Sequence, residues 1–206
     1  MRRSSMTLFS DPTCQYSHRV RIVLAEKGVT VDIEEVEATS VTDEIFEANP
    51  YGTLPTLVDR DLALYESKVV MEYLDERFPH PPLLPVYPVA RAQSRLWIHR
   101  IERDWCTLSD LILSDPNGDT GRDARQELNE SLVGVATIFK ELPYFMSEDY
   151  TLVDCCLAPM LWRLPQLGIE IKDSAQTKPL HNYMERVFVR EAFQKSLTDL
   201  EREIHG

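Results

Sequence analysis

Positive charge is what this sequence most lacks. Its 206 residues hold 22 Lys and Arg against 34 Asp and Glu, a formal charge of −12, and neither residues 1–78 nor residues 79–206 are basic when taken separately. Direct nucleic-acid binding is disfavoured, because affinity for phosphates comes from the counterions that Lys and Arg release. Any role near DNA then passes through a protein partner. Apolar runs of the roughly 20 residues needed to span a bilayer are absent. The opening Met1-Arg2-Arg3-Ser4-Ser5 is not followed by the apolar core of a secretion signal either. The expectation is a cytoplasmic protein without a membrane segment. Cysteine is limited to Cys14, Cys106, Cys155 and Cys156, which lack metal-ligand spacing, and the neighbours Cys155 and Cys156 cannot close an unstrained disulfide. Reduced thiols follow. His80, His99 and His181 are spaced too irregularly for a metal set, so no metal is expected.

What is present is 43% hydrophobic residues, enough for one large core or two modest ones. The first third alternates short strand patterns with helical ones. Met6 to Phe9 reads as a strand, and Tyr16 to Lys27 as a helix with Val20, Val23 and Leu24 on one face, stopped by Gly28. Val29 to Val36 alternates apolar and acidic residues, as a strand with one wet face would. Asp43 to Asn49 is a short helical turn, and Thr56 to Val58 pairs with Ala63 to Tyr65 across the polar Asp59-Arg60-Asp61 turn. A helix over Glu66 to Phe78 carries Val70, Leu74 and Phe78 at four-residue steps. The order β-α-β-α-β-β-α is thioredoxin-like.

Residues 79–88 hold five of the thirteen prolines and mark a boundary, since proline lacks an amide donor and fixes φ. Beyond it every pattern is helical. Trp97, Ile101, Trp105, Leu108 and Ile112 mark one long helix, a second spans about Arg122 to Glu141, and a third follows Thr151. Two more fill Lys178 to Ile204. Thr151 and Asp154 have the spacing of a capping box, which places Cys155 and Cys156 in a buried helix. The expected division is a flexible tail over 1–5, a thioredoxin-like domain over 6–78, a Pro-rich linker over 79–88 and an all-helical domain over 89–206.

Two stretches of the first domain could carry chemistry. Asn49-Pro50-Tyr51-Gly52-Thr53-Leu54-Pro55-Thr56-Leu57, followed by Tyr65-Glu66-Ser67, resembles the glutathione-transferase family, in which a cis-proline precedes the third strand and an acid-serine pair opens the third helix. The resemblance implies the glutathione-transferase fold. A cis bond at Pro55 lets Leu54 offer its backbone to a peptide-like ligand, and Glu66 and Ser67 at a helix start suit an amino group and a carboxylate. The same residues also serve the fold when nothing binds. Cys14, between the first strand and first helix, resembles the catalytic cysteine of omega-like transferases, with Ser17 where a resolving cysteine would stand. A thiol at a helix N-terminus is a better nucleophile; a small core filler is the other reading. Against glutathione stands an absence: between Lys27 and Arg60 there is no lysine or arginine, while eight acids from Asp32 to Asp59 repel an anionic tripeptide. Only Arg19, Arg21 or a dimer partner could compensate.

The run Phe78-Pro79-His80-Pro81-Pro82-Leu83-Leu84-Pro85-Val86-Tyr87-Pro88-Val89-Ala90-Arg91-Ala92 resembles the stringent starvation protein A family, and the likeness extends back through Met71 to Arg77, Val20 to Gly28 and Met6 to Ser10. This resemblance implies a bacterial regulator of stress transcription that associates with RNA polymerase holoenzyme or its sigma factor, forms a homodimer and lacks transferase activity. The expected partner surface is Pro79, His80, Pro81, Pro82 and Tyr87 with the basic stripe Arg91, Arg95, His99 and Arg103 that follows at four-residue steps. A plain spacer with a solvated or dimer-contacting stripe is the alternative. Leu54, Pro55, Glu66 and Ser67 become a vestigial glutathione site. No cofactor is expected on this reading, and glutathione with Cys14 as catalytic residue on the rival one.

Overall fold

The computed structural model describes residues 6–205, and the expected tail over 1–5 lies outside them. Four strands form one sheet: β1 (Met6–Ser10), β2 (Asp32–Glu35), β3 (Thr56–Asp59) and β4 (Leu62–Tyr65), in the order β2-β1-β3-β4. β2 runs parallel to β1, and β3 and β4 run antiparallel to their neighbours. Between them lie α1 (Gln15–Lys27) and α2 (Asp43–Ala48), and α3 (Ser67–Arg77) follows β4. Leu8 and Leu57 of the sheet, Val20, Ile22, Val23 and Leu24 of α1, and Val70, Met71 and Leu74 of α3 are all buried. Each such side chain contributes roughly 1.5–3 kcal/mol on leaving water. α1 ends where Gly28 takes φ 62°, a left-handed conformation that glycine adopts without steric cost. The wet-faced strand expected at 29–36 is shorter, and all four of its residues are exposed, Ile33 included. β2 is an edge strand, and its acids guard it against pairing with another chain.

The second compact unit covers residues 83–190 and is helical. It contains α4 (Pro88–Ile101), a π-helical turn (Glu102–Cys106), α5 (Thr107–Ser114), α6 (Asp119–Val135), a 3-10 turn (Ala136–Lys140), α7 (Leu152–Trp162) and α8 (Lys178–Phe188). The single long helix expected from Trp97 to Ile112 therefore carries a π turn. Ahead of it Ile98 is buried and Trp97 only half-buried, while Ile101, Trp105, Leu108 and Ile112 are buried as expected. The expected capping box is present: Thr151 accepts from the Val153 amide at 3.2 Å, and Asp154 accepts from the Thr151 amide at 2.9 Å. It opens α7, in which every residue is buried, Cys155 and Cys156 among them.

Helical content continues past residue 190, but in three helices, not the expected two: after α8 come α9 (Glu191–Ser196) and α10 (Asp199–Glu203). A second capping box separates the last pair, with Thr198 Oγ1 accepting from the Glu201 amide at 3.1 Å and Glu201 Oε2 accepting from the Thr198 amide at 3.0 Å. These helices also differ from the expected domain plan. The first compact unit comprises residues up to 82 together with 191 onward, and α9 packs on α1. The reason is a buried polar cluster. Arg21 donates to Glu201 Oε1 at 2.5 Å, to the Ser196 carbonyl at 3.0 Å, to Ser10 Oγ at 2.5 Å and to the Asp11 carbonyl at 3.0 Å. His18 Nε2 lies 2.9 Å from Ser196 Oγ, and its ring packs tilted against Phe193, with centroids 5.2 Å apart. A charge such as Arg21 tolerates burial only with a counter-charge, and Glu201, itself fully buried, supplies it.

Candidate functional site

The strand register gathers the residues singled out in the first domain. Phe9 pairs with Thr56, and Thr56 pairs with Tyr65. The chain leaving β1 toward Cys14, the chain entering β3 from Leu54-Pro55 and the chain leaving β4 into Glu66-Ser67 therefore lie at one end of three adjacent strands. The Leu54–Pro55 peptide bond is cis. Glu66 holds φ 67° and ψ 110°, a conformation that costs a non-glycine residue about 1–3 kcal/mol. Its side chain is exposed, while Ser67 beside it is buried and accepts from Arg19 Nη1 at 3.3 Å.

Cys14 is the N-cap of α1 and half-buried. The Asp11 carboxylate organises its turn, with Oδ1 accepting from the amides of Thr13 at 2.8 Å and Cys14 at 2.9 Å. Thr198 Oγ1 adds a bond to the Pro12 carbonyl at 2.7 Å. Of the two arginines that could offset the acids of this domain, Arg21 is committed to Glu201, and Arg19 is fully buried against Tyr16 and Ser67. The loop before cis-Pro55 depends on a residue that sequence reasoning left without a role, Asn49. Its buried side-chain amide donates to the Thr53 carbonyl at 3.0 Å and to Thr56 Oγ1 at 3.1 Å, and its Oδ1 accepts from the Tyr51 amide at 3.0 Å. An asparagine opening a Pro-Tyr-Gly turn was the available signal. Gly52 in that turn has φ 59°, and a Cβ there would meet the Phe46 ring at 2.3 Å.

Of the residues expected to meet a partner, Pro79, His80, Pro81, Pro82 and Arg95 are exposed, Tyr87 is 79% exposed and Arg91 half-buried. The backbone is pinned at Pro81 and Leu83. Lys27 Nζ donates to Asp75 Oδ1 at 2.6 Å and also to the Pro81 carbonyl, and the Leu83 carbonyl accepts from the Leu152 amide at 2.8 Å at the start of α7. Leu83 and Leu84 are buried. The two compact units meet in sequence between Pro82 and Leu83, and the His80–Pro81 bond is cis.

Comparison with known proteins places this arrangement. The glutathione S-transferase N-terminal domain model matches residues 13–77, and the C-terminal domain model matches residues 112–191. Stringent starvation protein A homologs are similar over nearly the whole length. That of Coxiella burnetii is 52% identical, covering 99% of this chain and 97% of its own, and that of Pasteurella multocida is 54% identical, covering 95% and 92%. The chain belongs to the stringent starvation protein A family. Its fold is that of the glutathione transferases, as in a rice transferase solved in complex with glutathione, which is 22% identical with a TM-score of 0.84 over 98% of this chain and 96% of that one.

Within this member of the stringent starvation protein A family, two groups of residues stand apart in character. The transferase-type elements at Leu54, Pro55, Glu66 and Ser67 are retained in backbone form, whereas the nearby arginines are turned inward. No group of three or more His, Cys, Asp or Glu among the described residues could hold a metal ion, and among them no helix is long and apolar enough to cross a membrane.

Proposed function

We propose that this chain is an RNA-polymerase-associated regulator of stress transcription, acting in the cytoplasm as a homodimer through protein contact. The observation that carries the reading is membership of the stringent starvation protein A family at about half identity over almost the full length. The exposed faces of His80 and Tyr87 support it. A proline-rich segment already fixed in φ loses little entropy on docking, and pinned carbonyls at Pro81 and Leu83 reduce that loss further. Arg91 and Arg95 follow on α4, where positive charge on an acidic protein selects an acidic partner face and speeds encounter. The protein itself transfers no group; it adds a binding surface to holoenzyme. Replacing His80, Pro81 and Tyr87 together with alanine is expected to abolish capture of purified holoenzyme with the circular dichroism spectrum unchanged. Undiminished capture by the folded triple variant would place the contact elsewhere. Light scattering is expected to give twice the chain mass.

A second reading is favoured by one observation, the half-buried thiol of Cys14 at the N-cap of a 13-residue helix beside a cis-proline loop. A thiol at that place could attack a glutathione disulfide, forming a mixed disulfide with expulsion of the second glutathione as thiolate. This thioltransferase reading requires glutathione to bind. Titration with millimolar glutathione is expected to release no heat; saturable heat, together with thioltransferase turnover that is lost in Cys14→Ser, would replace the regulator with the enzyme.

A further inference from the structure

We propose that the second unit carries a binding site for a small phosphate ester, in the cleft between α8 and residues 139–143. The cleft has a volume of about 540 Å³. On a chain with a formal charge of −12 its lining is cationic, with Lys140, Lys178 and Arg186 against a single acid, Glu141. The cations come from both walls. Lys178, Asn182 and Arg186 recur at four-residue steps, which puts them on one face of α8, and Lys140 ends the 3-10 turn opposite. Arg186 Nη1 donates to the Pro143 carbonyl at 2.7 Å, a bond that joins the walls and fixes the guanidinium while leaving its other N–H groups for a ligand. Among the described residues no carboxylate pairs with Lys140 or Lys178.

The chemistry of the cleft selects the ligand class. Two ammonium groups and a guanidinium fork match the several acceptor oxygens of a phosphate dianion better than a lone carboxylate. The positive end of α8, where Lys178 begins the helix, adds to the same field. Phe139, Leu142, Pro143 and Pro179 provide an apolar floor that a bare inorganic ion would leave empty. A phosphate carried on an apolar or ring-shaped body uses both features. Asn182, within the same face, offers an amide NH2 as donor and a carbonyl oxygen as acceptor to polar substituents of that body.

The test uses the full-length protein and phenyl phosphate as probe, followed by amide chemical shifts. Phenyl phosphate is expected to give saturable shifts at residues 139–143 and 178–186, and the Lys140→Gln/Lys178→Gln variant to bind at least tenfold more weakly with an unchanged melting temperature. Raising salt is expected to weaken binding to the native protein more than to the variant. Three results would overturn the assignment: no saturable shift, equal affinity in the double variant, or inorganic phosphate binding as tightly as the ester. A phosphoserine peptide that binds where phenyl phosphate does not would assign the cleft to a protein partner instead.

Discussion

Inside the first unit His18, Arg21 and Glu201 are out of water and satisfy one another, whereas His80, Tyr87 and Arg95 are exposed, with the backbone beside His80 held at the Pro81 carbonyl. In the sequence only the second region reads as a working surface, and Arg21 only as a cation that could offset the acids of the first domain. Only the second exposes its side chains. The inner cluster has turned its charge into cohesion: Arg21, one of the two arginines that could have offset the acids of this domain, is bonded to Glu201. The difference teaches that a scaffold can keep the shape of a ligand site while its charged groups serve the interior.

Mutations can break or sharpen this contrast, and the inner groups carry the largest effects. Glu201→Ala strands Arg21 as a buried unpaired charge and is expected to cost about 3–5 kcal/mol, read from the urea midpoint. The double variant Arg21→Met/Glu201→Leu is expected to recover most of that loss. In the second unit Asp154 tests the same logic without a counter-ion. It is buried and takes bonds only from neutral donors, the amides of Phe145 at 2.9 Å and Thr151 at 2.9 Å and the Tyr183 hydroxyl at 2.7 Å. Burial raises its pKa from 3.8 to about 6, against the pull of those bonds. A raised acid favours the folded state most when protonated. Its contribution is full below about pH 4 and falls as pH climbs through about 6, a loss of about 3 kcal/mol. Asp154→Asn is expected to lower stability at every pH through the weakened cap, but to remove that decline; the measurement is the difference between the two unfolding curves across the range.

Outside, effects on stability shrink and effects on binding grow. Arg95→Glu is expected to move the unfolding free energy by no more than about 0.5 kcal/mol, yet to weaken holoenzyme capture and flatten its dependence on salt. A capture curve that superimposes on the native one would return the basic stripe to solvent. Smallest of all is Cys14→Ser, expected to shift stability by less than about 0.5 kcal/mol and to leave capture unchanged. An effect on capture as large as that of the linker variants would draw the thiol into the working surface.

Much of the fold was legible because it rests on local signals. Period-two and period-3.6 patterns located every strand and helix of the first 78 residues, the Leu54-Pro55 pair marked its turn, and Thr151 with Asp154 announced α7. The π turn at Glu102–Cys106 was not legible, since it answers to packing along the helix and has no composition of its own. Neither was the return of α9 and α10, which depends on a pairing across 180 positions. For the candidate site, residue types were readable but commitments were not. An arginine nearly two turns into a helix looks the same in sequence whether it faces a ligand or, as Arg21 does, a buried glutamate. Asn49 was passed over because its work is done by side-chain bonds to backbone four residues away.

The pairing of Arg21 with Glu201 also sets an order of events during synthesis. At about 5–20 residues per second, the ribosome delivers α1 on the order of ten seconds or more before the segment that neutralises it. Until then the face of α1 on which α9 packs has no cover, and Arg21 has no anion to meet. The N-terminal unit is the first begun and among the last finished. A fragment cut after residue 82 would resemble this nascent state, sticky along α1 and dependent on a supplied 191–205 peptide to close it.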